Sequence, residues 1–362
     1  MNKKTKIVLG VAIVILVLWL SRVLISGNER SNMIKIGVIS PLSGLVANGD
    51  NLGQGFANGV IMAQEEYNAK HPNDMVSIVV EDDGYDSKKG ASAYQKIVSV
   101  DNVDAIINLS SPTIDAVKTE AQKNGKPIIQ LGAEAQVSQD NIFQMFPDQT
   151  SIKMVAEEAN KDGITNVTAV VEQLQAYEKF ITDFKATFKG TLQVERFPPS
   201  EKDFKQTALK LKENNPEGVL IFMTAQHGSQ LVKRMKEIGY KPKNIYFDIG
   251  LQLSSKDYES SLGGLDYLNG SKALYSVPKV DQSFDARYKA RFNMAPGMTS
   301  GYGFDSFNTM ITTYADNSND WINNLQKYNS EGVSGKISFD GVGLRPADFK
   351  IAVVERGKIV VK

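Results

Sequence analysis

From residue 34 onward, short runs of Val, Ile and Leu alternate with segments in which apolar residues recur at helical spacing. The runs are continuous, which is typical of strands that are buried on both faces of a sheet. Eight runs are predicted as strands, at 34–39, 76–80, 103–108, 126–131, 167–171, 192–197, 218–223 and 244–249. The predicted helices span 53–69, 87–99, 113–124, 151–161, 175–188, 203–214, 227–238, 284–292 and 302–316. This alternation predicts an α/β fold with parallel sheets.

The alternating elements fall into two series, at about 34–149 and 150–276. Each series predicts a doubly wound sheet, because right-handed crossovers place helices on both faces. The segment 143–151 is interpreted as the place where the chain passes from one series to the other. The tail has period-two runs that are broken at 339–343 (FDGVG) and 355–358 (ERGK), and both breaks predict hairpins.

The first 25 residues have a different character from the rest of the chain. A basic start, MNKKTK, precedes an apolar stretch at 7–25 that contains only Ser21 and Arg22 as polar interruptions. As a helix this stretch is about 28 Å long, enough to span a membrane. An uncleaved anchor is favoured over a cleaved signal, because no small-residue cleavage site follows. Residues 26–33 are interpreted as a tether, and the rest of the protein is predicted to lie on the extracytoplasmic side of the membrane.

Charge and cysteine content exclude several classes of function. The 41 acidic and 41 basic residues balance, so the chain lacks the electrostatic signature of a nucleic-acid-binding protein. There is no cysteine, which excludes thiol catalysis, cysteine zinc sites, disulfides and a thioether lipid anchor. The length of 362 residues is enough for two domains.

Neither a nucleotide nor a metal is predicted as a ligand. Gly53, Gly55 and Gly59 form G-x-G-x-x-x-G, which is one residue off the dinucleotide fingerprint and does not directly follow a strand. These glycines are interpreted as small residues that ease helix packing on a sheet. The acid-rich segment 81–90 lacks the ligand spacing of a calcium loop, and its Asp86 is predicted to cap the next helix. No cofactor is predicted.

No enzymatic activity is predicted either. The chain has two histidines, His71 and His227, and no G-x-S-x-G motif that would mark a nucleophilic serine. Carboxylate pairs occur, but no feature of the sequence singles one of them out as a general acid and base.

Polar segments follow six of the predicted strands. They contain Ser, Thr, Asn, Gln and Tyr but no Lys or Arg, and they lie at 40–50, 108–113, 130–136, 172–177, 223–228 and 248–252. Ligands of open parallel sheets bind outside the carboxyl ends of the strands. Since three of these segments belong to each series, the sequence predicts a polar cleft between two lobes that closes on a small solute.

Six segments in order resemble the type I periplasmic binding protein family, specifically its leucine/isoleucine/valine-binding branch of ABC-transporter receptors. They are IGVISPLSG with NGD, VVEDDGYDSKKGASAYQKIV, INLSSPTIDAV with KNGKPIIQLGA, EKDFKQTALKLKENNPEGVLIF, SGYGFDSFNTMI and GVSGKISFDGVG. The resemblance implies two lobes joined by three crossovers, with lobe 1 at 34–149 plus 277–327 and lobe 2 at 150–276 plus 328–362. It also implies a monomer that delivers its solute to a membrane permease.

The resemblance further implies a set of ligand-binding residues. They are Asn48, Ser110, Ser111, Gly132 and Glu134 in lobe 1, Tyr177, Thr224, Gln226 and Asp248 in lobe 2, and Phe304 (or its neighbour Asp305) on the last long helix. Ser110 would hold a carboxylate or ammonium group, and Asp248 would meet an ammonium group. Glu134 departs from the family pattern. Directed into the cleft it would repel a carboxylate, whereas directed to solvent it would have no effect. The solute therefore stays open between an amino acid, an amide and a cationic peptide fragment.

Three functions remain open at this point. The favoured one is a membrane-tethered solute-binding protein of an ABC uptake system. The second is a sensory ectodomain that signals through a membrane partner, although the predicted cytoplasmic part, MNKKTK, leaves no room for an output domain. The third is an enzyme on the same scaffold, for which His227 and Asp248 would be the residues to test.

Overall fold

The computed structural model describes residues 33–44, 52–132, 140–147, 152–173, 175–198, 200–253, 255–276, 281–346 and 349–362. The predicted membrane helix and nearly all of the tether lie outside these ranges. Within them, no helix combines the length and the apolar character that crossing a membrane requires.

The strands form two large sheets and one small hairpin. In chain order they are β1 Lys35–Ser40, β2 Ser77–Asp82, β3 Ala105–Asn108, β4 Ile128–Gln130, β5 Ile142–Pro147, β6 Asn166–Glu172, β7 Thr191–Phe197, β8 Gly218–Phe222, β9 Asn244–Phe247, β10 Lys272–Ser276, β11 Asn329–Gly332, β12 Gly335–Ser338, β13 Leu344–Arg345, β14 Phe349–Glu355 and β15 Lys358–Val361. The first sheet has the order β13-β5-β4-β3-β1-β2 and the second β15-β14-β10-β9-β8-β6-β7. Strands β11 and β12 pair only with each other.

Helices cover both faces of each large sheet. They are α1 Leu52–Lys70, α2 Ser87–Gln95, α3 Ser111–Asn124, α4 Ile152–Lys161, α5 Gln175–Thr187, α6 Lys205–Asn214, α7 Ala225–Glu237, α8 Gly250–Leu253, α9 Ser255–Leu262, α10 Gln282–Phe292, α11 Met298–Asp316 and α12 Trp321–Lys327. In the first lobe α1 and α11 share one core with the sheet, and α2 and α3 share another on the opposite face. The α/β class with parallel sheets is therefore confirmed.

All eight predicted strands are present, with ends shifted by a few residues. Two strands were not predicted: β5, which was interpreted as connecting chain, and β10, which lies between β9 and β14 in the second sheet. Strand β5 alternates Phe143 and Met145 toward one core with Ile142 toward the other. Its interior Gln144 and terminal Pro147 break up the apolar run by which the other strands were recognised.

One of the two predicted tail hairpins is confirmed. Strands β14 and β15 are antiparallel, with Glu355 opposite Lys358. The two residues between them, Arg356 and Gly357, have φ angles of 51° and 68°. Positive φ at both central positions is the requirement of a type I′ turn, whose twist matches that of the strands it joins.

The prediction of a hairpin at residues 339–343 (FDGVG) is wrong. The strand after this segment, β13, runs parallel to β5 at the edge of the first sheet. The turn itself is built by Asp340, whose Oδ1 accepts hydrogen bonds from the backbone N–H groups of Val342 (3.0 Å) and Leu344 (2.8 Å). The glycine-rich segment therefore redirects the chain into the sheet of lobe 1.

The pairing of β13 changes where the chain leaves lobe 1. The chain passes between the two large sheets after Pro147, after Ser276 and after Arg345. The resemblance implied that lobe 2 resumes at residue 328, but residues 344–345 belong to the sheet of lobe 1. The other lobe boundaries stay predictions.

Helices α1 and α11 cross at very short distance, and glycines make this possible. A Cβ atom on Gly59 would lie 2.1 Å from the carbonyl oxygen of Ser300, and one on Gly303 would lie 2.2 Å from that of Phe56. Any side chain at these positions would force the backbones apart. The G-x-G-x-x-x-G pattern thus serves packing, as interpreted, although the partner of Gly59 is a helix rather than a sheet.

Candidate ligand-binding cleft

The carboxyl ends of the lobe 1 strands bring three predicted ligand residues together. Ser110 precedes the first residue of α3, is fully buried, and its Oγ has no hydrogen-bond partner within the described residues. Ser111 begins α3. A Cβ atom on Gly132 would lie 2.6 Å from Ser111 Oγ, so a larger residue here would require the Ser111 side chain to move. Asn48 and Glu134 lie outside the described residues.

Tyr85 lies in the loop at the carboxyl end of β2 in lobe 1 and was not among the predicted ligand residues. It follows β2 with a φ angle of 58°, an unusual value for a non-glycine residue. Its N–H donates to Asp83 Oδ1 at 3.2 Å, and Asp83 Oδ2 accepts a hydrogen bond from the Thr113 hydroxyl of α3. Asp83 thus ties the loop that carries Tyr85 to the start of α3. In the sequence, segment 81–90 was considered as a calcium loop, which was not favoured, and as the cap of the next helix, but Tyr85 was not proposed as a ligand residue.

The acidic segment around Tyr85 caps the N-terminus of α2. Asp86 Oδ1 accepts hydrogen bonds from the N–H groups of Lys88 and Lys89, both at 2.9 Å, which confirms the predicted cap of α2. Within the described ranges no three His, Asp or Glu side chains come together in a cluster that would hold a metal ion.

In lobe 2, Tyr177 follows β6 and Asp248 follows β9, at the carboxyl ends of these strands. The Tyr177 ring stacks parallel to Phe222, with centroids 6.2 Å apart, and meets Phe180 edge-on at 5.8 Å. Burial raises the pKa of the Tyr177 hydroxyl well above its usual value, and Asp248, Glu172 and then Tyr85 add to the shift. The Tyr177 hydroxyl therefore stays neutral near pH 7 and can donate or accept a hydrogen bond.

Asp248 is a buried carboxyl group that titrates near neutral pH. It follows β9, is 4% exposed, and its Oδ1 accepts a hydrogen bond from Gly250 N at 2.7 Å. Burial raises its pKa to about 7, against the lowering effect of the backbone hydrogen bonds. A cation placed beside Asp248 would favour the ionised carboxylate and would form an ion pair with it.

A second polar group in lobe 2 lies at the start of α7. Thr224 N donates to Glu172 Oε2 at 2.8 Å, and His227 Nδ1 lies 3.4 Å from the same oxygen and 3.1 Å from Thr224 Oγ1. The imidazole packs edge-on against Phe197, with centroids 5.6 Å apart. Glu172 and His227 thus hold Thr224 in place. Gln226 Oε1 is buried and has no partner in the described part of the chain.

Phe304 lies in a contact between helices. Its ring meets that of Phe284 at 5.3 Å, the Arg287 guanidinium lies 5.7 Å from its centroid, and its backbone approaches Gly59. None of these neighbours is another predicted ligand residue. Apolar periodicity on a helix does not reveal which buried face borders a cleft.

The alternative, Asp305, stabilises the small β11–β12 hairpin. Its carboxylate accepts hydrogen bonds from Val333 N (2.9 Å), Ser334 N (2.7 Å) and the Ser334 hydroxyl. The buried Arg345 donates to Ser334 O (2.9 Å) and Met145 O (3.2 Å). Since Met145 lies in β5 and Asp305 in α11, these bonds fix the hairpin on lobe 1.

A cavity of about 370 Å³ opens between the lobes beside this hairpin. Lobe 2 contributes Gln252, Tyr275 and Ser276, and lobe 1 contributes the starts of α10 and α11 together with residues 333–334. Gln252 holds the end of β10 through two bonds, from its Nε2 to Ser276 O (2.8 Å) and from Ser276 N to its Oε1 (2.9 Å). The lobes therefore do not pack tightly here, and the space has the size of a small-molecule site.

A protein family described as periplasmic binding protein matches residues 33–348. The chain belongs to this family. The recognition made from six sequence segments is therefore confirmed, and so are the two sheet-based lobes. No match was found among curated protein sequences.

Solved structures of periplasmic binding proteins share this fold. A leucine-binding protein from Thermotoga maritima has a TM-score of 0.75 at 17% identity, covering 91% of this chain and 98% of its own. A branched-chain amino acid transporter substrate-binding protein from Streptococcus pneumoniae, in complex with isoleucine, has a TM-score of 0.76 at 19% identity. The match covers 91% of this chain and 100% of that protein. A solute-binding protein of an ABC transporter from R. palustris, in complex with benzoate, has a TM-score of 0.75 at 18% identity. The match covers 91% of this chain and 95% of that protein. At such identities the likeness shows the fold alone.

Proposed function

We propose that this periplasmic binding protein captures a small polar solute, an amino acid or an amide, between its closing lobes and delivers it to an ABC transporter permease. The observation that carries the proposal is the cavity of about 370 Å³ between the lobes, which is lined by Gln252, Tyr275 and Ser276 of lobe 2 and by residues 333–334 and the starts of α10 and α11 of lobe 1. Polar strand ends of two lobes that face one another can surround a solute from both sides.

Unpaired buried groups support a polar ligand. Ser110 Oγ in lobe 1 and Gln226 Oε1 in lobe 2 have no partner within the described residues. A buried polar atom without a hydrogen bond costs about 1–3 kcal/mol, which a ligand that bonds to it recovers. Relatives with this fold are described with isoleucine and with benzoate, both small molecules that carry a carboxylate.

Calorimetry tests the proposal with the purified protein and a panel of amino acids and amides. We expect at least one solute to bind 1:1 with a Kd well below about 1 mM, which corresponds to about −4 kcal/mol. Ser110→Ala in lobe 1 and Tyr177→Phe in lobe 2 should each weaken the same solute about tenfold, because each removes one hydroxyl from opposite walls. A panel with no solute tighter than about 1 mM contradicts the function.

We also propose that residues 1–25 remain as an uncleaved helix that anchors the binding lobes on the extracytoplasmic side of the membrane. The apolar stretch at 7–25 and the absence of a cleavage site support this. The mass of the protein extracted from membranes should include the first residues, and added protease should digest the lobes in intact spheroplasts. A soluble mature protein that begins after residue 25 would contradict the anchor.

A further inference from the structure

Three side-chain amides lie next to one another on adjacent lobe 1 strands, two at the last residues of β3 and β4 and the third inside β5. In the sheet register Asn108 of β3 is opposite Gln130 of β4, and Gln130 is opposite Gln144 of β5. Since neighbouring strands are about 4.8 Å apart, the three residues form a continuous line, called here the amide row. Apolar residues usually occupy such central sheet positions.

The amide row faces the α2 and α3 side of the sheet. The residues two positions earlier in the same strands, Ile106, Ile128 and Ile142, lie in the core that α2 and α3 share with the sheet. Residues two apart in a strand point to the same face. The amide row therefore lies under the start of α3.

Much of the hydrogen-bonding capacity of the amide row is unused. Asn108 is 1% exposed, and Gln130 and Gln144 are fully buried. Asn108 Nδ2 donates to Ser110 O at 2.9 Å, and Gln144 Nε2 donates to Phe146 O at 3.1 Å. Four atoms of the row have no hydrogen-bond partner among the described residues: Asn108 Oδ1, Gln144 Oε1, and Nε2 and Oε1 of Gln130.

The row joins the N-terminus of α3, whose Ser110 makes no side-chain capping bond to the described backbone. The hydrogen bond from Asn108 to Ser110 O links the two features directly. Ser110 Oγ is itself buried without a partner in that part of the chain. A helix N-terminus also offers unsatisfied N–H groups and a partial positive charge. The site thus offers side-chain acceptors from the row and donors from the helix start.

This inventory selects one chemical class of ligand. The amide row leaves three oxygens and one nitrogen unpaired, so it needs N–H or O–H donors from its partner. A carboxylate can only accept and would leave the three oxygens unsatisfied. An ammonium group would meet the positive end of α3. A neutral carboxamide supplies an oxygen for the helix start and two N–H donors, which satisfy two of the three unpaired oxygens of the row.

We infer that the amide row binds a carboxamide group of the solute, an inference that rests on the function proposed above. The carboxamide oxygen accepts from the α3 N-terminus and from Gln130 Nε2. Its NH₂ group donates to Asn108 Oδ1 and Gln130 Oε1. The row then selects amides over the corresponding acids.

Matched pairs of ligands test the inference by calorimetry on the full-length protein. The pairs are glutamine and glutamate, asparagine and aspartate, nicotinamide and nicotinate, and acetamide and acetate. We expect at least one carboxamide to bind about tenfold or more tightly than its acid. Gln130→Met, which keeps the chain length but removes both polar atoms, should weaken that carboxamide about 10- to 100-fold and change the affinity for its acid by less than about threefold.

Two further variants keep the test decisive. Gln206→Met makes the same change at an exposed position on α6 and should leave all affinities unchanged. Asn108→Leu, which removes the other acceptor of the carboxamide NH₂ group, should reduce the preference for the carboxamide even if Gln130→Met does not fold. Equal effects on amide and acid, or no effect of either row variant, would overturn the inference. If the wild-type protein binds only acids, the inference alone fails. If it binds no solute, the proposed function fails with it.

Discussion

The Asp248→Asn variant is expected to lose about 10- to 100-fold in affinity for any solute that carries an ammonium group. A charge-assisted hydrogen bond is worth about 1.5–3 kcal/mol, and asparagine keeps the shape of the side chain without its charge. Asp316→Asn, at the exposed end of α11, is the matched control and should leave affinity unchanged. Titration calorimetry measures both. An ammonium-bearing solute that binds Asp248→Asn as tightly as the wild type would show that this carboxylate does not contact the ligand.

The same carboxyl group gives binding and stability a defined pH dependence. Because the pKa of Asp248 is about 7 in the free protein, an ammonium ligand that needs the ionised form should bind more tightly as pH rises from 6 to 8. Stability should change in the opposite direction. The folded pKa lies above the unfolded one, so the folded state holds the extra proton between about pH 4 and 7. The free energy of unfolding therefore falls as pH rises through that window. Asp248→Asn should flatten both profiles.

Replacing Asp305 by alanine should lower the free energy of unfolding by about 3–5 kcal/mol. The change leaves two partly buried N–H groups of the β11–β12 hairpin without their partner, and it removes a carboxylate that interacts electrostatically with the buried Arg345. Chemical denaturation measures the loss, and Asp316→Ala on the same helix is the control. A loss below about 1 kcal/mol would mean that water replaces the missing hydrogen bonds.

The sequence was sufficient to predict those strands and turns that a pattern of neighbouring residues defines. Continuous apolar runs located eight strands, and the Arg356–Gly357 turn fixed the last hairpin. The signal failed for β5, where Gln144 sits among buried residues, and for β13, a two-residue strand whose partner is β5. Strand pairing between distant segments has no local pattern, so the FDGVG hairpin was predicted wrongly.

The candidate site also contains residues that were named from the sequence and contacts that were not predicted from it. Ser110, Ser111 and Gly132 were named through the resemblance to the family, and their roles as ligand residues stay predictions. Glu172 and His227 were missed as partners of Thr224, since their contact depends on the pairing of β6 with β8.

The closest test of the central claim is a distance measurement across the cleft. The chain has no cysteine, so Lys88→Cys at the start of α2 and Lys205→Cys at the start of α6 place one fluorescent label on each lobe. We expect energy transfer to increase when the solute identified by calorimetry is added, and to remain unchanged with a solute that does not bind. Saturating binding of the solute without any change in energy transfer would contradict capture by closing lobes.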